Sequence, residues 1–513
     1  MANLIGLDIG TTGCKAVVFS EDGRVSGSAY REYGIDTDGA GKAEQDPELV
    51  WRLCREVLAK AVAGSTEKVG KVPDVVALGL SVQGDAIIPL DGNGKPVHPA
   101  LLGMDYRSAP QAAACEARFG GEALFKRTGM RPHAINSLCK VLWLRESRPD
   151  LWARTARVVT YADFISDRLL GGGKGWFIDL TMASRTMAWN LAAGDWDDGL
   201  LGELGLSRSL FSDAVPSGTE LGILDADLAR AFGLAGQVSL VAGGHDQPCG
   251  AVGAAVLKDG DAVVSSGTAE VLSTTFSSRA DPSSLYSGYY PCYQSALPDR
   301  RFTFALNHVG GLLLRWYRDT WCAAESAEAL KTGRDAYALI DEGMPAGPSP
   351  VMFLPHLNGA GTPSCDPFSR GAVVGLTLAT TRGDVAKAIL ECLAFELALN
   401  VEALSAAGVR IDRLSAVGGG AKSPVWLAIK ADILGVPIRT LECKEAACLG
   451  AAIIAGTGSG VYTSIAEGIR RAVRFEAVYE PDSVSAAAYA ERYAVYRNLY
   501  GALKPIYERM RFN

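Results

Sequence analysis

The sequence predicts an α/β protein built from two domains, and three observations lead there. Short apolar strands alternate with stretches of helical period from the first residues onward. A strand, a Gly-Thr turn and a second strand stand at the start and return after residue 260, which is an internal repeat. The 513 residues are too many for one ordinary core, and 48% hydrophobic with 21% charged residues is the composition of a globular chain.

The elements follow in order. Residues 4–9 and 15–19 read as strands joined by Gly10, Thr11, Thr12 and Gly13, and "EDGR" at 21–24 turns into a third strand, so the chain opens as a β-meander. Leu49, Leu53, Val57 and Ala61 have helical spacing behind Asp46 and Pro47, which suit the N-cap and first helical positions. A strand follows at 75–82, and the alternation continues through "ARVVTYADFISDRLLGG". The second half opens at "VSLVAGGHDQPCGAVGAAV" (238–256), and "GDAVVSSGTAEVLSTTF" (260–276) repeats the form of the first hairpin. Tyr489, Tyr493, Tyr496, Tyr500, Leu503 and Tyr507 form a helical stripe, which packing explains better than a cofactor does. The expected division is 1–247, 248–480 and a C-terminal helix over 481–513 that packs on the body.

Composition excludes several classes. A net charge of -7 without a long Lys/Arg run offers no footprint for nucleic acid. Eleven scattered cysteines without paired CxxC motifs read as reduced thiols, and "CKEAAC" (443–448) as two small helix residues. No basic start precedes an apolar core, and no apolar run has membrane-spanning length, so a cytoplasmic location is expected.

Three glycine-bearing turns each follow an apolar strand: Gly10 to Gly13, Gly267 with Thr268, and Gly418, Gly419 and Gly420 in "AVGGGAKSPVW". Glycine lets backbone N–H groups approach a ligand and threonine adds hydroxyl donors, a combination suited to phosphate oxygens; ordinary hairpins use the same residues. No GxxxxGK[ST] occurs, so a Walker-type loop is excluded. Asp8 shares a strand face with Gly6 while Ile5, Leu7 and Ile9 take the other, which aims its carboxylate at the open side of the first turn. It reads either as a partner of Mg²⁺ or as a strand-end aspartate accepting turn N–H groups. Asp246, in "AGGHDQPCG", reads either as the base that takes a hydroxyl proton during phosphoryl transfer or as a helix N-cap before Pro248. His245 is a substrate contact or a hydrogen-bonded structural histidine.

These residues resemble the FGGY family of carbohydrate kinases over nearly the whole chain. "GLDIGTTGCKAVVF" is similar to the family's first phosphate motif, "GGHDQPCGAVGA" to its catalytic segment, "SSGTAEVL" to its second phosphate motif and "VGGGAKSPVWLAIKADILG" to its adenosine motif. Two signature regions are also kept, one with Ser137, Lys140, Trp143 and Glu146, the other with Gly371, Gly375, Asp384, Ala388 and Glu391. The resemblance implies the fold shared by sugar kinases, Hsp70 and actin: two actin-like, ribonuclease H-like domains with a cleft between them that closes on the substrates.

It also implies an ATP-dependent kinase that moves the γ-phosphate of ATP to a hydroxyl of a ketose, deoxyketose or polyol, with ATP and Mg²⁺ as cofactors. Asp246 becomes the base and Asp8 the carboxylate associated with Mg²⁺. Gly10, Thr11, Thr12, Lys15, Gly267 and Thr268 become the phosphate contacts, and Gly419, Gly420 and Ala421 the adenosine contacts. Gln83, Asp85, Asp105, Arg107 and His245 become the sugar contacts. The expected partner is a small sugar or polyol, with a homodimer admitted, and neither nucleic acid nor membrane. The chain departs from the family at Gly103, where tryptophan is common, and at Ala360 and Gly361, where Glu-Arg is common, so the motifs leave the sugar open between fuculokinase, rhamnulokinase, xylulokinase and ribulokinase relatives. Competing classes are an actin- or Hsp70-like ATPase and a non-catalytic sugar sensor.

Overall fold

The computed structural model describes residues 2–277 and 280–510. In chain order the principal elements are β1 (Asn3–Ile9), β2 (Gly13–Ser20), β3 (Val25–Glu32), α1 (Pro47–Val69), β4 (Val75–Val82), β5 (Glu220–Ile223), β6 (Ser239–His245) and α2 (Asp246–Gly253). Then come β7 (Gly260–Ser266), β8 (Glu270–Ser277), β9 (Arg300–Asn307), α3 (Arg382–Ala406), β10 (Ile411–Val417) and α4 (Pro424–Leu434). The chain ends with β11 (Ile438–Leu441), α5 (Ala446–Gly458), β12 (Phe475–Tyr479), α6 (Ser483–Tyr496) and α7 (Leu499–Arg509).

Two compact units share these elements, and the chain passes between them more than once. Unit 1 holds Met1–Leu257, Pro291–Phe302 and Glu445–Arg474, and unit 2 holds Lys258–Tyr290, Thr303–Lys444 and Phe475–Asn513. The sheet of unit 1 has the order β5-β6-β4-β1-β2-β3. β1 pairs antiparallel with β2 and parallel with β4, and β4 pairs parallel with β6. The expected meander, the strand at 75–82 and the helix after Asp46 are all present, and Asp46 caps α1 by accepting from the Glu48 N–H. Ile5, Leu7 and Ile9 enter one core with Val50, Val57 and Leu58 of α1, while the opposite face of the sheet receives α5. That second contact is very close: a Cβ on Gly6 would lie 1.9 Å from the Cys448 carbonyl oxygen, and one on Gly79 2.3 Å from that of Ala451. Glycine is needed there because helix backbone occupies the place of the side chain.

In unit 2 the sheet runs β9-β8-β7-β10-β11-β12. β7 pairs antiparallel with β8 and parallel with β10, which is the pairing of β1 with β2 and β4. The repeat read from the two Gly-Thr turns is therefore a repeat of structure. A separate core gathers Val385, Ile389 and Phe395 of α3 with Trp426 of α4 and the C-terminal tyrosines. The tyrosine stripe does pack: Tyr493 stacks on Phe395 with ring centroids 5.8 Å apart, and the Tyr496 hydroxyl donates to Glu396 at 2.6 Å. It is carried by two helices rather than one, since α6 ends at Tyr496 and α7 begins at Leu499. A second correction concerns "CKEAAC": Cys448 lies in α5, but Cys443 precedes the helix, which starts only at Ala446. No helix of the described residues is long and apolar enough to cross a membrane.

Candidate active site

Three parallel strands of unit 1 end at one level. In register, Asp8 of β1 lies beside Ser81 of β4, which lies beside Gly244 of β6. The next residues along each strand leave the sheet at the same edge, as the Gly10–Gly13 turn, the loop Gln83-Gly84-Asp85 and the N-terminus of α2. The carboxyl ends of parallel strands in open α/β sheets are where ligands bind.

At the first turn the carbonyls face inward. The Tyr33 hydroxyl donates to the oxygens of Gly10 (2.6 Å) and Gly13 (3.0 Å), and the Gln45 amide donates to that of Thr11 (2.6 Å). Among the described residues no partner engages the N–H groups of Thr11 and Thr12, so the turn keeps two unengaged backbone donors. Asp8 stands directly before it and accepts from Ser81 Oγ at 2.6 Å. Burial pushes its pKa up to about 6, with the Ser81 bond opposing and Glu445 adding. Lys15, the cross-strand neighbour of Asp8, is held by both carboxylate oxygens of Glu445 at 2.8 Å. Among the described residues no three His, Cys, Asp or Glu side chains gather as a metal cage. A single carboxylate beside unengaged backbone N–H groups can hold a hydrated divalent cation, but is not an all-protein metal cage.

Asp246 is the first residue of α2 rather than its cap; that position falls to His245, whose side chain makes no capping bond. The Asp246 side chain is 33% exposed, with Oδ1 3.1 Å from His245 Nε2. Burial pushes its pKa up to about 7, and the Asp8 charge adds to the shift while Arg185 opposes it. Behind the site, the His245 N–H donates to Thr181 Oγ1 (2.7 Å), and Thr181 in turn donates to Asp179 (2.5 Å).

Asp85 adopts a left-handed backbone at φ 65°, its carbonyl held by Ser137 Oγ (3.2 Å) and Lys140 Nζ (3.3 Å). Its Oδ2 accepts from Arg185, while the buried Oδ1 has no partner among the described residues. Burial lowers the pKa of the Lys140 ammonium to about 8. Gln83 donates to Gln45 at 3.3 Å. Asp105 and Arg107 instead satisfy each other. Asp105 is fully buried and accepts from the Ala43 N–H (2.9 Å) and Arg107 Nη2 (2.6 Å), while Arg107 also reaches Glu44 and lies 4.3 Å from the Trp143 ring. Gly103 borders the Asp85 loop: a Cβ there would be 3.7 Å from Cβ of Asp85. At Gly361 no side chain fits, because its Cβ would be 1.9 Å from the Leu306 oxygen.

The other two turns lie in unit 2. Gly267 and Thr268 are exposed at the end of β7, and their carbonyls accept from the N–H groups of Gly311 (2.7 Å) and Gly310 (2.8 Å). Gly418, Gly419 and Ala421 follow β10, and a small cavity is lined by Gly418, Ala421, Lys422 and Leu441. A buried network underlies both turns: Lys430 donates to Ser266 Oγ (2.9 Å) and to Glu270, and Ser266 donates to Glu270 (2.7 Å). A Cβ on Gly420 would strike Ser266 Cβ at 2.5 Å, which ties the third turn to the end of β7.

The structure thus brings Asp8, Gln83, Asp85, His245 and Asp246 to one edge of one sheet. Sequence reading missed Gln45, Thr181, Arg185, Tyr293, Glu445 and Lys430. Only Gln45 carries a local signal, a polar residue just ahead of the α1 cap; the others owe their place to chain packing.

Residues 3–253 match the N-terminal domain, and residues 262–459 the C-terminal domain, of the FGGY family of carbohydrate kinases. The chain is 28% identical over 506 residues to xylulose kinase of Bacillus subtilis (strain 168), covering 99% of this chain and 98% of that protein. It is 32% identical over 480 residues to glycerol kinase of Symbiobacterium thermophilum, covering 90% and 91%. The crystal structure of xylulose kinase from Rhodospirillum rubrum superposes with a TM-score of 0.87 at 26% identity, covering 99% of this chain and 100% of that one.

Proposed function

Because the chain belongs to the FGGY family of carbohydrate kinases, and is therefore a phosphotransferase acting on an alcohol group, we propose that Asp246 is its general base and a neutral ketose or polyol its acceptor. The observation that carries this reading is the common edge at which β1, β4 and β6 end, with Asp8 before a turn of unengaged N–H groups and Asp246 two residues beyond Gly244. A pKa raised to about 7 suits a group that must be ionised to take a hydroxyl proton near neutrality and then release it.

The phosphates of ATP are assigned to Gly10, Thr11, Thr12 and Lys15 and to Gly267 and Thr268, and the adenosine to Gly419, Gly420 and Ala421. Asp8 would hold Mg²⁺ through its waters; that ion neutralises phosphate charge when bound. Asp85, through its unpartnered Oδ1, accepts from a sugar hydroxyl, and Gln83 and His245 lie beside it. Asp105 and Arg107 shape this region as an internally paired unit.

Charge supports a neutral acceptor. Arg185 is already committed to Asp85, and the remaining carboxylates, Asp8 and Asp246, would repel an acid sugar. A positioned base contributes about 10²- to 10⁴-fold, or about 3 to 5.5 kcal/mol of barrier. Asp246→Asn is therefore expected to lose about that factor in kcat with little change in KM, measured by coupled ADP release over ketoses, deoxyketoses, polyols and aldonates. Turnover within a few-fold of the unmodified protein removes Asp246 from the role, and an aldonate as the best acceptor removes the charge argument.

A further inference from the structure

We propose that Tyr293 is a positioning residue for Asp246, acting through His245: a phenol-to-imidazole-to-carboxylate chain that fixes one carboxylate oxygen and leaves the other for the substrate hydroxyl. The inference rests on Asp246 being the base.

The chain is set by which groups can donate. The Arg185 guanidinium carbon lies over the Tyr293 ring, 5.0 Å from its centroid. The phenol carries one proton, which it can donate to an unprotonated ring nitrogen. The available acceptor is His245 Nδ1, 3.2 Å away. Burial and the Arg185 charge hold His245 neutral, well below the usual histidine range. A neutral imidazole carries one proton, and with Nδ1 accepting, that proton sits on Nε2, which lies 3.1 Å from Asp246 Oδ1. The opposite tautomer would set the Nε2 lone pair against a carboxylate, which is repulsive.

Geometry leaves the ring little freedom. Its backbone N–H is tied to Thr181, and a Cβ on Gly84 would lie 2.7 Å from Nε2, so the imidazole is pressed between the Gly84 loop and Tyr293, with which it makes an edge contact at 5.8 Å. The charged groups acting on Asp246 from the surrounding elements are Asp8 of β1, Asp85 of the loop after β4, and Arg185. Among the contacts described, His245 Nε2 is the side-chain nitrogen beside Oδ1, at 3.1 Å, so the tautomer sets the charge that this carboxylate oxygen meets.

Histidine tautomers are read directly from side-chain nitrogen shifts in ¹⁵N-histidine-labelled full-length protein, which is practicable with five histidines. His245 is expected as the Nε2–H form. In Tyr293→Phe, which keeps the ring, that preference is expected to be lost and kcat to fall about tenfold while the KM values for sugar and ATP stay within about twofold. His245→Gln, which retains a donor, is expected to keep more turnover than His245→Leu. An Nδ1–H form in the unmodified protein overturns the proposal, and so does a Tyr293→Phe enzyme with unchanged kcat. The underlying reading fails separately: an active Asp246→Asn enzyme would remove the base while leaving the observed tautomer as it is.

Discussion

Asp246 and Asp8 are two carboxylates whose surroundings favour the neutral form, since burial raises both and each stands near other negative charge. With Asp246 as the proposed base, turnover needs it ionised, so kcat/KM is expected to fall as pH drops through about 7, and to be roughly a hundredfold lower at about pH 5 than at about pH 8. Stability runs the other way. Between about pH 4 and about pH 7 the native state binds protons that the unfolded chain has released, so the unfolding free energy contributed by this group decreases as pH rises across that window. Asp246→Asn, which stays neutral, is expected to be more stable than the unmodified protein by about 1 kcal/mol above pH 7, a figure reduced for part exposure, and equal to it below about pH 4. Denaturant titrations at the two extremes check the sign. Both acids were legible as strand-end carboxylates beside glycine. Arg185 and Tyr293 were not, because nothing in "TMASRT" or "YYPCYQ" marks a side chain that meets another 48 or more residues away.

At the scale of elements, glycine sets how closely helix α5 can lie on the sheet. Gly6→Ala places a methyl 1.9 Å from the Cys448 oxygen, where backbone rather than a flexible side chain must yield. The expected cost is about 1–3 kcal/mol or more, read as a lower denaturation midpoint, and Asp8 two residues on should be displaced enough to weaken turnover as well. A Gly6→Ala protein of unchanged midpoint would mean that α5 is not seated as described. The start of α1 was readable because capping is local, Asp46 and Pro47 acting within one turn. The break between α6 and α7 was not, since the tyrosine spacing continues across it while the backbone does not.

For the whole molecule, two units repeat one plan: a hairpin headed by a Gly-Thr turn, with a parallel strand beside its first member. The two turns proposed to contact phosphate are the same turn used twice. An actin- or Hsp70-like ATPase would share that plan, so the discriminating quantity is dependence on the acceptor. ADP release is expected to rise at least about tenfold when the right sugar is added, because the residues around Asp246 serve a hydroxyl rather than water. Sugar-independent hydrolysis at the full rate would favour the ATPase class and leave Asp85 and Gln83 without a role.

What depends on near neighbours could be read along the chain: the strand–turn–strand units, the helix after Asp46, the two acids and the glycine turns that carry the family resemblance. Those signals arise from periodicity, capping and turn chemistry, which act over a few residues. Only the tertiary structure decided that residues 445–474 return to unit 1, that Lys430 reaches Glu270, and that Arg185, Tyr293 and His245 converge on Asp246. Such meetings depend on sheet register and on where the chain crosses back. A side chain's partner across many residues is fixed by that geometry and leaves no periodic mark in the chain.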